Sequence, residues 1–150
     1  MNTFVSHSAN ETLDIAAHIA SQLHPGDVVA LFGSLGAGKT TFARGLANAL
    51  GVSSSVSSPT YTIQHTYKAK GASLHHIDLY RLMTPDDVDM LDIEACWESR
   101  DITIIEWPER AGDLLPPQTW RIHISMDLSP EERHIEVIPP THHSKFINNE

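Results

Sequence analysis

Gly33-Ser34-Leu35-Gly36-Ala37-Gly38-Lys39-Thr40 fits the pattern G-x-x-x-x-G-K-[ST], and that pattern leaves a chain few ways to fold. The glycines let backbone N–H groups turn inward around phosphates, and a following helix adds the positive end of its dipole. The lysine is placed to reach β- and γ-phosphates, and the Thr40 hydroxyl to ligate Mg²⁺. Thr41 completes the run. Such a loop needs a strand before it and a helix after it. Val28 to Phe32 is a short apolar run, as expected of a strand buried on both faces. A helix is predicted from Lys39 to Leu50, with Gly51 placed to end it.

The remaining pattern extends this to an α/β fold: a P-loop NTPase-like mixed β-sheet flanked by helices, in a single domain. Ser8 and Glu11 have capping-box spacing, and Leu13, Ala16, Ala17, Ala20 and Leu23 give the helix after them one apolar stripe. Pro25-Gly26-Asp27 reads as a turn. Val52 to Ser58 reads as a loop, and Thr60 to Tyr67 as a strand. Lys68 to Gly71 turns the chain into a second strand, Ser73 to Asp78. Thr84-Pro85-Asp86-Asp87 is a helix start. Ile102 to Glu106 is another apolar strand. Trp120 to Asp127 and Arg133 to Ile138 form a closing hairpin. Residues 1–138 are thus expected to be the domain and 139–150 a flexible C-terminal tail.

Composition narrows the partners. The chain has 150 residues, 41% of them hydrophobic, which suffices for a core. Ten Lys and Arg stand against nineteen Asp and Glu, a formal charge of −9. Nucleic acid is gripped by neutralising phosphates, and no basic run forms a patch, so any nucleic acid is expected to be held by something else. No apolar run spans a bilayer, no leader pattern is present, and the single Cys96 fits a reducing compartment. The expected place is the cytoplasm, with no membrane partner. Cys96 lies in a predicted helix and reads as a packing residue.

A phosphate loop names neither base nor reaction. Mg²⁺ and an attacking water need carboxylates at neighbouring strand ends. Asp78 ends one predicted strand and Glu106 another, so these two are the candidate catalytic and metal-ligating acids. Thr60, about twenty residues beyond Lys39, has the spacing of a switch threonine. No N-K-x-D segment is present, and Asp78 is followed by Leu79, Tyr80 and Arg81 rather than a D-x-x-G; ATP is favoured over GTP. His75 and His76 point to opposite faces of a strand and cannot easily share one metal. Trp107, next after Glu106, should point to the other face of the strand end, as a packing residue or a lid.

Four segments in this order, Gly33 to Thr41, Ser58-Pro59-Thr60-Tyr61-Thr62, His76 to Leu82 and Ile105-Glu106-Trp107-Pro108-Glu109-Arg110, resemble the TsaE (YjeE) family of bacterial ATPases over about residues 8 to 138. The first motif is shared by many NTPases; the other three together are far more specific. The resemblance implies a Mg²⁺-dependent ATP hydrolase of low intrinsic rate. It would be required for threonylcarbamoyl-adenosine (t6A) formation at position 37 of tRNAs reading codons that begin with A. The family acts as a switch on the TsaB–TsaD pair, meeting tRNA only through that complex. By the match, Lys39 and Thr40 bind phosphate and Mg²⁺, Thr60 sits in a switch-like loop, Asp78 takes a Walker-B-like place, and Glu106 ligates Mg²⁺ or orients water. The family's adenine site points to Asn10, Thr12 and Arg133. Ser34 departs from the family's frequent Asp, which leaves the backbone contribution of the loop intact.

Two other classes fit a phosphate loop. A small-molecule kinase usually closes an Arg-rich lid, and the arginines here are scattered with no lid segment. A nucleotide-gated binding module would need Lys39 but not Glu106.

Overall fold

The computed structural model describes residues 2–34, 36–53, 56, 59, 63–82, 86–87, 94–127 and 129–140. The strands are β1 (Asn2–Ser6), β2 (Val28–Phe32), β3 (Gln64–Ala69), β4 (Ala72–Asp78), β5 (Ile102–Glu106), β6 (Thr119–Met126) and β7 (Arg133–Ile138). The helices are α1 (Ala9–Ala20), α2 (Lys39–Ala49) and the short α3 (Glu94–Glu98). All seven strands form one mixed sheet in the order β1-β7-β6-β2-β5-β4-β3. β6, β2, β5 and β4 run parallel, while β3, β7 and β1 are antiparallel to their neighbours. The α/β expectation with a mixed sheet is met.

Alternation along the strands divides two apolar layers. Val29 and Leu31 of β2, Ile104 of β5 and Ile122 and Ile124 of β6 pack with Ala16 and Ile19 of α1 and Phe42 and Leu46 of α2. Val28, Ile77, Leu79 and Ile105 point the other way, to Cys96 of α3 and Ala111. Cys96 is therefore a packing residue in its predicted helix. The helix pair is held close by Gly45, where a Cβ would lie 2.6 Å from the Ala16 Cβ and 3.0 Å from the Leu13 carbonyl oxygen. No helix among the described residues is long and apolar enough to cross a membrane.

Several local expectations shift. Ser8 caps α1 by accepting from the Glu11 N–H, but Glu11 reaches the backbone N–H of His7 rather than that of Ser8. The buried stripe of α1 is Thr12, Ala16, Ile19 and Ala20, with Ala17 exposed. Thr12 is tolerated there because its hydroxyl pairs with the buried Ser6 hydroxyl at 2.7 Å. β3 starts at Gln64 because Ile63 takes a positive φ of 71° and its N–H turns back to the Pro59 carbonyl. The hairpin turn contracts to Lys70-Gly71, since Lys68 and Ala69 pair with Ser73 and Ala72. β1 was not expected from the sequence; it forms by pairing along β7. Thr84 and Pro85 lie outside the described residues, Asp86 and Asp87 are helical, and of the expected tail Pro139 and the buried Pro140 are described.

Candidate functional site

The loop after β2 leaves the sheet at the carboxyl edge of the parallel strands. The register there is decisive: Leu31 lies opposite Glu106, and Glu106 opposite Asp78. Three adjacent parallel strands thus deliver the glycine loop and two carboxylates to one edge. Glu106 and Asp78 share the strand faces of Ile104 and Leu74, which are buried with α2. α2 begins at Lys39, after Gly38 with φ of 108°, a left-handed conformation that glycine adopts without strain.

Lys39, Asp78, Glu106 and His76 are 5%, 2%, 3% and 1% exposed, so this is a buried cluster of ionisable groups. The Lys39 ammonium donates to the Gly33 carbonyl at 2.7 Å and lies 3.5 Å from the centroid of the Trp107 ring. Burial pushes its pKa below the ordinary lysine value, and the negative charges of Glu106, Glu109 and Asp78 partly oppose that. Asp78 Oδ1 accepts from the Tyr80 N–H at 2.9 Å.

Trp107 sits at φ 57°, an uncommon conformation for a bulky residue. It packs on the second apolar layer, as alternation predicts, and the left-handed turn also brings its ring over Lys39. Tyr80 packs against it as a tilted pair, with centroids 4.9 Å apart. Strain at this position is spent on covering the lysine.

His76 was weighed in the sequence only as a metal ligand. Its Nε2 is 2.6 Å from Glu106 Oε2, both groups buried, while its Nδ1 is unpartnered among the described residues. His76 therefore fixes the Glu106 carboxylate. Spacing contained the signal: His76 and Asp78 are two apart on one face of a strand, and Glu106 stands opposite Asp78. His75 points away and pairs with Asp101 at 3.0 Å, so the two histidines do lie on opposite faces.

On the other side of the loop, a cleft of about 330 Å³ opens between the start of α1 and the β6–β7 turn. Ser8, Ala9 and Thr12 form one wall, Pro130, Glu131 and Arg133 the other, with Gly38 and Thr41 at its floor. Arg133 joins the turn to the loop: its Nε donates to the Ala37 carbonyl at 2.9 Å, and its guanidinium also donates to the Pro130 and Glu132 carbonyls. Of the expected adenine contacts, Thr12 and Arg133 line this cleft and the exposed Asn10 does not. Thr12 presents little side chain, since it is buried and bonded to Ser6.

The structure thus brings together Lys39, Asp78 and Glu106, and separately Thr12, Thr41 and Arg133. Gly33, Ser34, Gly36, Ala37 and Thr40 lie on the same loop and helix start. Leu35 and Thr60 lie outside the described residues. Chemically, the arrangement offers a helix start, a buried lysine, and two carboxylates with oxygens for a hard cation.

The family model described as "Threonylcarbamoyl adenosine biosynthesis protein TsaE" matches residues 6–135. The tRNA threonylcarbamoyladenosine biosynthesis protein TsaE of Haemophilus influenzae is 35% identical over 133 residues, covering 87% of this chain and 83% of the relative. The proteins of the same name from Synechocystis and Bacillus subtilis are 41% identical (70% of this chain, 69% of the relative) and 38% identical (76% and 71%). The crystal structure of Bacillus subtilis YdiB superposes with a TM-score of 0.82 at 28% identity, covering 99% of this chain and 92% of that one.

Proposed function

We infer a function from one premise: the chain belongs to the TsaE family, the proteins of threonylcarbamoyl adenosine biosynthesis. Within that pathway, we read it as a Mg²⁺-dependent ATP hydrolase that acts as a switch on the TsaB–TsaD complex, reaching tRNA through that complex and working in the cytoplasm. The observation that carries the ATPase reading is the buried Lys39 between the Gly33 carbonyl and two strand-end acids. A buried ammonium with a depressed pKa is costly to keep. A phosphate in the loop would give it a charged partner.

Asp78, Glu106 and the Thr40 hydroxyl offer the all-oxygen donor set that Mg²⁺ prefers; the two acids stand side by side at one strand edge and Thr40 at the start of α2, so the residues fit the ion. When bound, Mg²⁺ would neutralise charge on the β- and γ-phosphates. The rest falls to the chain. Lys39 leaves the Gly33 carbonyl for the phosphates. Backbone N–H groups of the loop hold the non-bridging oxygens. Glu106, its carboxylate fixed by His76, orients the attacking water and accepts its proton. The cleft beside Thr41 takes the nucleoside, with Arg133 tying its far wall to the loop. The acidic charge of −9 suits a protein that serves a tRNA-modifying machine without gripping tRNA itself.

ATP hydrolysis by the purified chain, alone and with TsaB and TsaD, tests this reading. Weak activity alone, raised by the pair and lost in Lys39→Ala, is the expected result. Activity indifferent to the pair would remove the switch. A phosphorylated metabolite appearing as product would point to a kinase.

A further inference from the structure

The edge of the sheet beyond the cleft carries a second constellation, which the ATPase reading does not use. In the β1-β7-β6 ladder, Ser6 pairs with Arg133 and Met126 with Arg133, so the next rung outward aligns His7, Glu132 and Asp127. His134 stands one rung inward, two residues from Glu132 and so on its face. Four potential ligands, His134 in β7 and the other three just beyond the ends of β1, β6 and β7, thus gather at one side of the sheet.

Their atoms are close. Asp127, Glu132 and His134 each place a ligand atom within 4.8 Å of the others. His134 Nε2 is 2.8 Å from Asp127 Oδ2 and 3.7 Å from Glu132 Oε2, and His7 Nε2 is 3.5 Å from Glu132 Oε1. Ligands at about 2.0–2.1 Å around a tetrahedral ion stand roughly 3.3 Å apart, and the two His134 separations bracket that value. His7 touches the group through Glu132 alone and would join the other ligands by a side-chain rotation. His7 has a further mark of a ligand. Its Nδ1 faces the Glu11 carboxylate at 3.1 Å, the outer-shell contact that fixes the tautomer and leaves Nε2 free to coordinate.

We propose that Asp127, Glu132 and His134, with His7 as a fourth ligand, form a binding site for a divalent cation of the zinc type. Two imidazoles and two carboxylates suit Zn²⁺ and Co²⁺ and are too nitrogen-rich for Mg²⁺ or Ca²⁺. The ion would act as a clip. His7 precedes Ser8 on one wall of the cleft, and Glu132 follows Glu131 on the other. Coordination would therefore tie the start of α1 to the β6–β7 turn and set the width of the cleft between them. Metal uptake stands independently of the ATP reading; only the purpose of fixing the cleft rests on it.

The test uses the untagged full-length chain without nucleotide. Zn²⁺ is titrated calorimetrically, Co²⁺ uptake is followed by visible absorption, and amide exchange is measured with and without Zn²⁺. The expected result is one Zn²⁺ per chain at micromolar affinity. His134→Ala and Asp127→Ala should each weaken it on the order of tenfold or more, and His7→Ala less. Zn²⁺ should slow exchange in the β6–β7 turn of the wild type and not of His134→Ala. A double His142→Ala, His143→Ala variant and a His75→Ala variant should bind as wild type does. No uptake at micromolar Zn²⁺, or uptake that survives both His134→Ala and Asp127→Ala, would overturn the site. Variant melting temperatures without metal, expected unchanged, separate loss of ligands from loss of fold.

Discussion

At the carboxyl ends of β4 and β5, Asp78, Glu106 and His76 are sealed in the protein with Lys39, and each is held by a specific partner or a nearby charge. The cleft across the loop is built from other material: a helix start, a turn, backbone carbonyls and one arginine. The first half carries buried charge on strands whose register is fixed by a core. The second half is made where two remote segments meet. On the proposed reading, the reaction chemistry falls to the half built on strands, and nucleoside binding to the half made of a turn and a helix start.

The sharpest break between the halves is Glu106→Ala. Hydrolysis should fall by about 10²–10⁴-fold while ATP binding changes little, measured by phosphate release and by calorimetry. The same change leaves buried His76 with neither ring nitrogen paired, and should cost about 1–3 kcal/mol in chemical denaturation. Lys39→Ala acts on binding itself. Losing charge-assisted bonds to two phosphates should weaken ATP about 100-fold. If binding were unchanged, the cation would have no part in the site.

Gly45→Val probes the scaffold common to both halves. With no room at the Ala16 contact, it should destabilise by about 1–3 kcal/mol, read as a lower urea midpoint at unchanged slope. Arg133→Ala acts on the cleft and on its tie to the loop. Losing the tie to the Ala37 carbonyl should weaken ATP by roughly five- to tenfold and leave inorganic phosphate binding alone. A larger effect on phosphate than on ATP would move Arg133 from the cleft to the loop.

Legibility in the sequence followed the same division. The strand–loop–helix unit, β5 to the residue and the closing hairpin could be read, because a buried parallel strand is a continuous apolar run and the loop has a fixed spacing. Asp78 and Glu106 stood out as acids ending predicted strands. β1 could not be read, since Asn2–Ser6 is a mostly exposed edge strand that forms by pairing along β7. The cleft was equally hidden. Ser8 and Pro130 become neighbours only when the sheet is assembled, and no local pattern records that. The resemblance points to Asn10, but α1 aims it to solvent, while Thr12, two residues on, lines the wall. The His76–Glu106 pair lay between these cases: visible to spacing, but only once the pairing of β4 with β5 is known.

Glu106→Gln tests the central claim most directly, because it removes the charge and keeps the shape. The amide can still bond His76 Nε2, so the fold should keep its wild-type stability. ATP should bind with near wild-type affinity, and single-turnover hydrolysis with TsaB and TsaD present should be lost. A stable Glu106→Gln protein that hydrolyses ATP at the wild-type rate would contradict the assignment of this buried carboxylate to the reaction.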